Sequence, residues 1–284
     1  MFTNSCLPFV PSTRHPMTTQ RLYFTLLLII FTTLYAEAQI SPPGLGDART
    51  ASWFAIGARQ DLNRQQTWQS MSYLGFGRKS NPDNTNLLFK PAIYVLNQEF
   101  YHSFLQHWQT SFALSYRRQP EYEETYPFAP TEPSLQQEFR LYARLSRSIK
   151  MKRLTLTPTI RQEMRRFFQP DFSNTTQPLQ FRSRMRVQLS ATIDAEKEHK
   201  LMLSSEQLFS VQQANDNKAW SSFGYNESRF MLYYSYSPKH ANLIFDVGYM
   251  HNLIGQHAPS SVHYFAIDVV LKNPFHTFKE HGAG

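Results

Sequence analysis

The stretch Phe181-Arg-Ser-Arg-Met-Arg-Val-Gln-Leu-Ser-Ala-Thr-Ile193 sets the reading of the chain. Arg182, Arg184 and Arg186 take every second position, and Met185, Val187, Leu189, Ala191 and Ile193 take the positions between and beyond them. A period of two puts the arginines on one face of a β-strand and the aliphatic side chains on the other. The segment before it repeats the pattern, with Arg161, Glu163 and Arg165 against Leu154, Leu156, Ile160 and Met164. One segment earlier, Glu138, Arg140, Tyr142 and Arg144 alternate with Phe139, Leu141, Ala143 and Leu145. A soluble sheet buries its apolar face on a core; a membrane barrel turns that face to lipid and keeps the charges inside.

Composition favours the second arrangement. Charged residues make up 18% of the 284 and aromatics 15%, with 23 Phe and 15 Tyr. Overall hydropathy is negative, which excludes a helical membrane protein. Low charge, many aromatics and alternating segments suit an outer-membrane barrel, although a secreted β-sandwich shares them. The only cysteine is Cys6. It falls in a segment expected to be removed, so the mature chain has neither disulfide nor thiolate chemistry.

Arg21, the apolar run from Leu22 to Phe31 and Ala36-Glu37-Ala38 read as a positive region, a hydrophobic region and a cleavage site. Residues 1–38 are therefore expected to be a signal peptide, with Met17 an alternative start, and the mature chain to begin at Gln39. The run is too short to cross a membrane as a helix. The net charge of +8 is not gathered into runs or onto a helix. With export, that argues against a nucleic-acid partner.

After a lead-in at 39–51, eleven candidate strands run approximately as 52–60, 67–78, 87–99, 105–118, 135–149, 153–168, 179–194, 200–211, 223–236, 241–253 and 262–271. Connections 61–63, 150–152, 195–199 and 237–240 are short. Those at 79–86, 119–134, 169–178, 212–222 and 254–261 are long. Outer-membrane barrels alternate short periplasmic turns with longer external loops, and a sandwich has no reason to do so. The expected fold is all-β, a single antiparallel transmembrane β-barrel over 52–275 with a tail at 276–284. Bacterial barrels have even strand numbers. The expectation is thus about twelve strands, with an extra one in 40–50, and ten as the alternative.

The pattern resembles a family of uncharacterised bacterial outer-membrane proteins, domain of unknown function 2490. The resemblance rests on Glu138-Phe139-Arg140, Arg161-Gln162-Glu163-Met164-Arg165, Arg182-Ser183-Arg184-Met185-Arg186, Glu206-Gln207-Leu208-Phe209, Asn226-Glu227-Ser228-Arg229 and Gly248-Tyr249-Met250. It implies a barrel in the outer membrane of a Gram-negative bacterium and supplies no reaction. Barrels of this kind commonly end on an aromatic that the assembly machinery reads, whereas here His276 to Gly284 follow Phe275.

Register estimated from the turns places Arg140 opposite Arg161 or Glu163, Glu138 opposite Glu163 or Arg165, and Glu163 opposite Arg184 or Arg186. Gln188 falls opposite Glu206, and Glu206 near Glu227 or Arg229. The candidate site is the resulting ladder: Glu138, Arg140, Arg144, Arg161, Glu163, Arg165, Arg182, Arg184, Arg186, Glu206, Glu227 and Arg229. An arginine facing lipid at mid-membrane costs ~2–4 kcal/mol, so three would threaten a fold whose net stability is ~5–15 kcal/mol. The ladder must face the lumen. There it either locks register as a structural filling or lines a path for a ligand or ion, with Arg182, Arg184 and Arg186 as the lining.

No nucleophile motif marks an enzyme. A barrel-embedded lipid hydrolase, with His251, His257, His263, Ser260 and Ser261 near the last external loop, is the alternative, and a soluble exported β-sandwich is third. No metal or cofactor pattern stands out, and Glu121, Glu123 and Glu124 read as a solvated acidic loop. Trp53, Trp68, Trp108, Trp220, Tyr234 and Tyr236 fall near strand ends, where a membrane interface favours aromatics. The expected role is structural, or that of a narrow transport barrel for an unidentified solute. Its expected partners are outer-membrane lipid and the barrel-assembly machinery.

Overall fold

The computed structural model describes residues 42–213 and 219–275. The expected signal peptide, the mature terminus at Gln39 and the tail at 276–284 lie outside them. The strands are β1 (Thr50–Asp61), β2 (Trp68–Lys79), β3 (Lys90–Phe104), β4 (Trp108–Tyr122), β5 (Pro130–Arg147) and β6 (Ile149–Met151). They continue as β7 (Leu154–Phe168), β8 (Asn174–Thr192), β9 (His199–Gln213), β10 (Gly224–Tyr236), β11 (Leu243–Ile254) and β12 (Ser260–Lys272).

Apart from β5 and β6, each sequence neighbour pairs antiparallel, β5 pairs with β7, and β1 pairs with β12, so the sheet closes on itself. The closing pair is parallel, running from Thr50↔His263 to Arg59↔Lys272. This corrects the expectation of twelve, or ten, antiparallel strands. Eleven strands form the barrel, and they correspond to the eleven candidate segments of the sequence. The twelfth element, β6, continues β5 past a break at Ser148 and pairs only with β7. Residues 42–49 form no strand. An even count follows only if both ends of the barrel wall start from the same rim. Here β1 starts at the rim that carries the 80–89, 123–129 and 255–259 connections, while β12 ends at the other.

The loop alternation also changes. Strand β8 begins at Asn174 and β5 at Pro130, so much of what read as long loop is projecting strand. Connections 169–173 and 255–259 are thereby no longer than 193–198 and 237–242 at the opposite rim.

Side chains divide by the period of two. Arg184 is buried while Met185 and Val187 are 55% and 51% exposed, so the apolar face points outward. Ile56, Leu74, Leu96, Phe112, Leu141, Ile160, Leu203, Leu232, Phe245 and Phe265 carry this exposed apolar surface around the wall. Trp68, Trp220 and Tyr234 are exposed, but Trp53 is not an interfacial anchor. Its ring is fully buried and donates from Nε1 to Asp268 Oδ1 at 3.0 Å. Gly75 makes room for it, since a Cβ there would overlap the indole ring.

The lead-in enters the barrel from the rim where β1 starts. Pro42, Pro43, Leu45 and Ala48 are buried. Leu45 N–H donates to the Tyr264 hydroxyl at 2.9 Å, and Lys79 Nζ donates to the Leu45 carbonyl at 2.9 Å. Gly44 sits against the Arg229 guanidinium and the Glu227 carboxylate.

At the other rim, Asn273 clips the parallel seam. Its N–H donates to Arg59 O at 2.7 Å, its Oδ1 accepts from Asp61 N–H at 2.7 Å, and its Nδ2 donates to Asp61 Oδ2 at 2.9 Å. Parallel pairing is slightly weaker than antiparallel. Asn273→Ala should therefore cost about 1–3 kcal/mol, read as a lower urea midpoint for refolded protein. An unchanged midpoint would show that the seam holds without the clip.

Candidate functional site in the barrel interior

The pleat that turns Met185 outward turns Arg182, Arg184 and Arg186 inward, and the neighbouring strands aim carboxylates at the same space. Glu138 on β5 accepts from Arg140 Nε at 2.6 Å and Arg165 Nη2 at 2.8 Å. Glu163 on β7 lies 3.1 Å from Arg140, 2.6 Å from Arg161 and 2.7 Å from Arg184. Glu206 on β9 bridges Arg184 at 3.2 Å and Arg229 at 3.4 Å. Glu227 on β10 takes Arg229 at 2.7 Å and Arg182 at 3.5 Å. Ten ladder residues on five strands thus form one connected chain of ions.

Two further members of the expected ladder lie beside these ten. Arg144 pairs with Glu99 on β3 at 3.2 Å, and Arg186 takes the register position opposite Glu206. Glu99 also accepts from Ser111 Oγ at 2.6 Å and the Tyr142 hydroxyl at 2.8 Å. The Arg161 guanidinium lies 3.5 Å from the centre of the Tyr142 ring, a cation–π contact.

The register differs from the turn-centred estimate. The β5–β7 hairpin turns at Lys152-Arg153, with Lys152 at φ 52°, and not at Met151. Arg140 consequently faces Arg165, and Glu138 faces Phe167. Glu163 faces Arg182, and Gln188 faces Ser204. Arg229 does face Glu206. Four ion pairs therefore form between diagonal neighbours, Arg140–Glu163, Arg165–Glu138, Arg184–Glu163 and Arg184–Glu206, within reach of a long guanidinium arm, and three join residues two apart on one strand.

Several interior groups carry no period-two signature. Arg117 is followed by Arg118, which hides its face, and Glu99 stands alone among uncharged neighbours. Asp246 and Asp268 are directly opposed on β11 and β12, buried at 5% and 0% exposure. Their strands are apolar on both faces, so alternation gives no contrast there. Tyr233 on β10, also buried, lies across Gly248 of β11.

A cavity of about 430 Å³ occupies the half of the interior nearest the lead-in. Arg182 and Arg184 line it with Arg117, Arg140 and Arg165, and it reaches the rim beside Asn226 and Gly255. Arg186 lies deeper along β8. At the outward face, Ser261 Oγ is 2.7 Å from His251 Nε2, and the His251 and His263 rings stack at 4.9 Å. His263 Nδ1 is 2.7 Å from the Tyr249 hydroxyl, Ser260 instead donates to Asp47, and His257 is exposed in the 255–259 connection.

The fold and interior define a class: a closed eleven-stranded β-barrel with apolar side chains outside and a connected guanidinium–carboxylate chain inside. The chain belongs to the family described as a protein of unknown function, DUF2490, which matches residues 50–263. That span runs from the first residue of β1 into β12. No curated protein matches the chain.

Proposed function

We propose that the protein is an outer-membrane barrel whose interior is a constricted, arginine-rich passage that favours anions. The apolar outward face carries this reading. A soluble monomer rarely exposes a contiguous apolar patch beyond a few hundred Å², whereas here large apolar side chains ring the wall. Polar groups within that ring pair with one another. Ser183 Oγ donates to Gln162 Oε1 at 2.7 Å, and Gln98 bonds Ser72 and Ser70. Such pairing is what a surface without water requires. Eleven strands lie between the eight whose interior side chains fill and the sixteen that leave an aqueous channel. The long paired side chains and the lead-in therefore decide the bore.

Single cysteines test the orientation. Cysteine at Met185 or Val187 should react with a lipid-phase label, and cysteine at Arg184 only with a water-soluble thiol reagent. Recovery of the protein in the soluble fraction, or reversed labelling, would sink the proposal.

One observation favours a second reading, a barrel-embedded lipid hydrolase: the Ser261–His251 contact sits on the outward face, where a lipid ester would lie. A hydroxyl hydrogen-bonded to an imidazole is the start of a nucleophile–base pair. Phospholipase activity of refolded protein, abolished in Ser261→Ala, would establish it. Activity absent, or equal in both proteins, would dismiss it.

A further inference from the structure

The guanidiniums around the 430 Å³ cavity are unevenly satisfied. Arg140, Arg165 and Arg184 each hold a carboxylate within 3.2 Å. Arg182 reaches Glu227 and Gln180 Oε1 only at 3.5 Å, and its Nε is buried without a hydrogen-bond partner among the described residues. Arg117 is 7% exposed, and among the described residues its side chain has one hydrogen bond, from Nε to Ser115 Oγ at 3.4 Å. Its register partner Glu138 is already taken by Arg140 and Arg165. A buried charge without a counter-ion is costly. Five arginines face this space, and Glu227 is the only carboxylate lining it among the described residues.

We propose that this cavity is a binding site for a phosphate-type oxyanion, held between Arg117 and Arg182. Guanidinium forks match the paired oxygens of phosphate, and two under-coordinated forks, on β4 and β8, lining one cavity supply the donors that a dianion needs. The volume falls within the range of small-molecule clefts, ~300–1,000 Å³, so it accommodates an organic phosphate as well as the free ion. The opening beside Asn226 and Gly255 admits it from the rim where β1 starts.

The inference rests on the passage reading above, but binding is measured in detergent. A failure of membrane location or conductance therefore leaves it readable. Refolded mature protein is titrated calorimetrically with inorganic phosphate, with glycerol 3-phosphate and with phosphatidylglycerol in mixed micelles. Saturable binding of either soluble phosphate assigns a diffusible ligand, and binding of the lipid alone assigns a headgroup; both support the site. Arg117→Gln and Arg182→Gln should each weaken affinity about tenfold or more. Glu227→Gln removes the opposing charge and should tighten it about fivefold. Folding of each variant is checked by its heat-modifiable migration in gels. If a glutamine variant does not fold, Arg117→Lys and Arg182→Lys keep the charge and lose the fork, and should still weaken binding. No binding by any of the three probes, or equal affinity in wild type and folded variants, overturns the proposal.

Discussion

A mature chain that begins at Arg49 should conduct severalfold more than the intact protein in planar bilayers. The truncation removes Pro42 to Ala48, which pass through the interior between Arg229, Tyr264 and Lys79. No barrel strand is touched, because β1 starts at Thr50, where Ser80 N–H holds the Thr50 carbonyl at 2.9 Å. The wall should remain closed while the obstruction goes. The freed path lies among arginines, so the added current should be carried mainly by anions. The check is single-channel recording under a salt gradient, with the two proteins compared at equal insertion. Conductance identical to that of the intact chain would show that the ion chain alone seals the bore. Cation selectivity would contradict the arginine lining.

Loss of one carboxylate should have the largest effect on stability. The Glu163 side chain is completely buried and meets Arg140, Arg161 and Arg184 within 3.1 Å. Glu163→Gln keeps its shape and removes the charge that compensates three guanidiniums. Breaking a buried ion pair costs about 3–5 kcal/mol because the remaining partner stays charged and dry. Here Arg161 loses its carboxylate outright, and Arg140 and Arg184 are left with Glu138 and Glu206. The expected loss is therefore at the upper end of that range. It is measured as the shift in urea unfolding of refolded protein, followed by tryptophan fluorescence and gel migration. A loss below about 1 kcal/mol would mean that water or a bound anion already compensates the cluster. Repeating the titration with phosphate present separates those two cases.

The alternation of 139–193 determined by itself that the chain makes strands, which residues share a face, and that arginines and apolar groups part company. That is local information: pleating carries successive Cβ atoms to opposite sides whatever the strand packs against. Strands β5, β7 and β8 and their inward set from Arg140 to Arg186 follow from it. Strand number parity does not, because it depends on which rim the chain enters. The parallel β1–β12 seam exists only once both ends of the sheet meet in space. Pairing partners do not follow either. Moving a turn from Met151 to Lys152-Arg153 slides every neighbour between β5 and β7, and the reach of each guanidinium arm then selects which carboxylate it takes. The lead-in's place inside the barrel, the buried Trp53–Asp268 bond and the under-coordinated Arg117 come from elements far apart in the chain. No local period encodes them; closure of the wall brings them together.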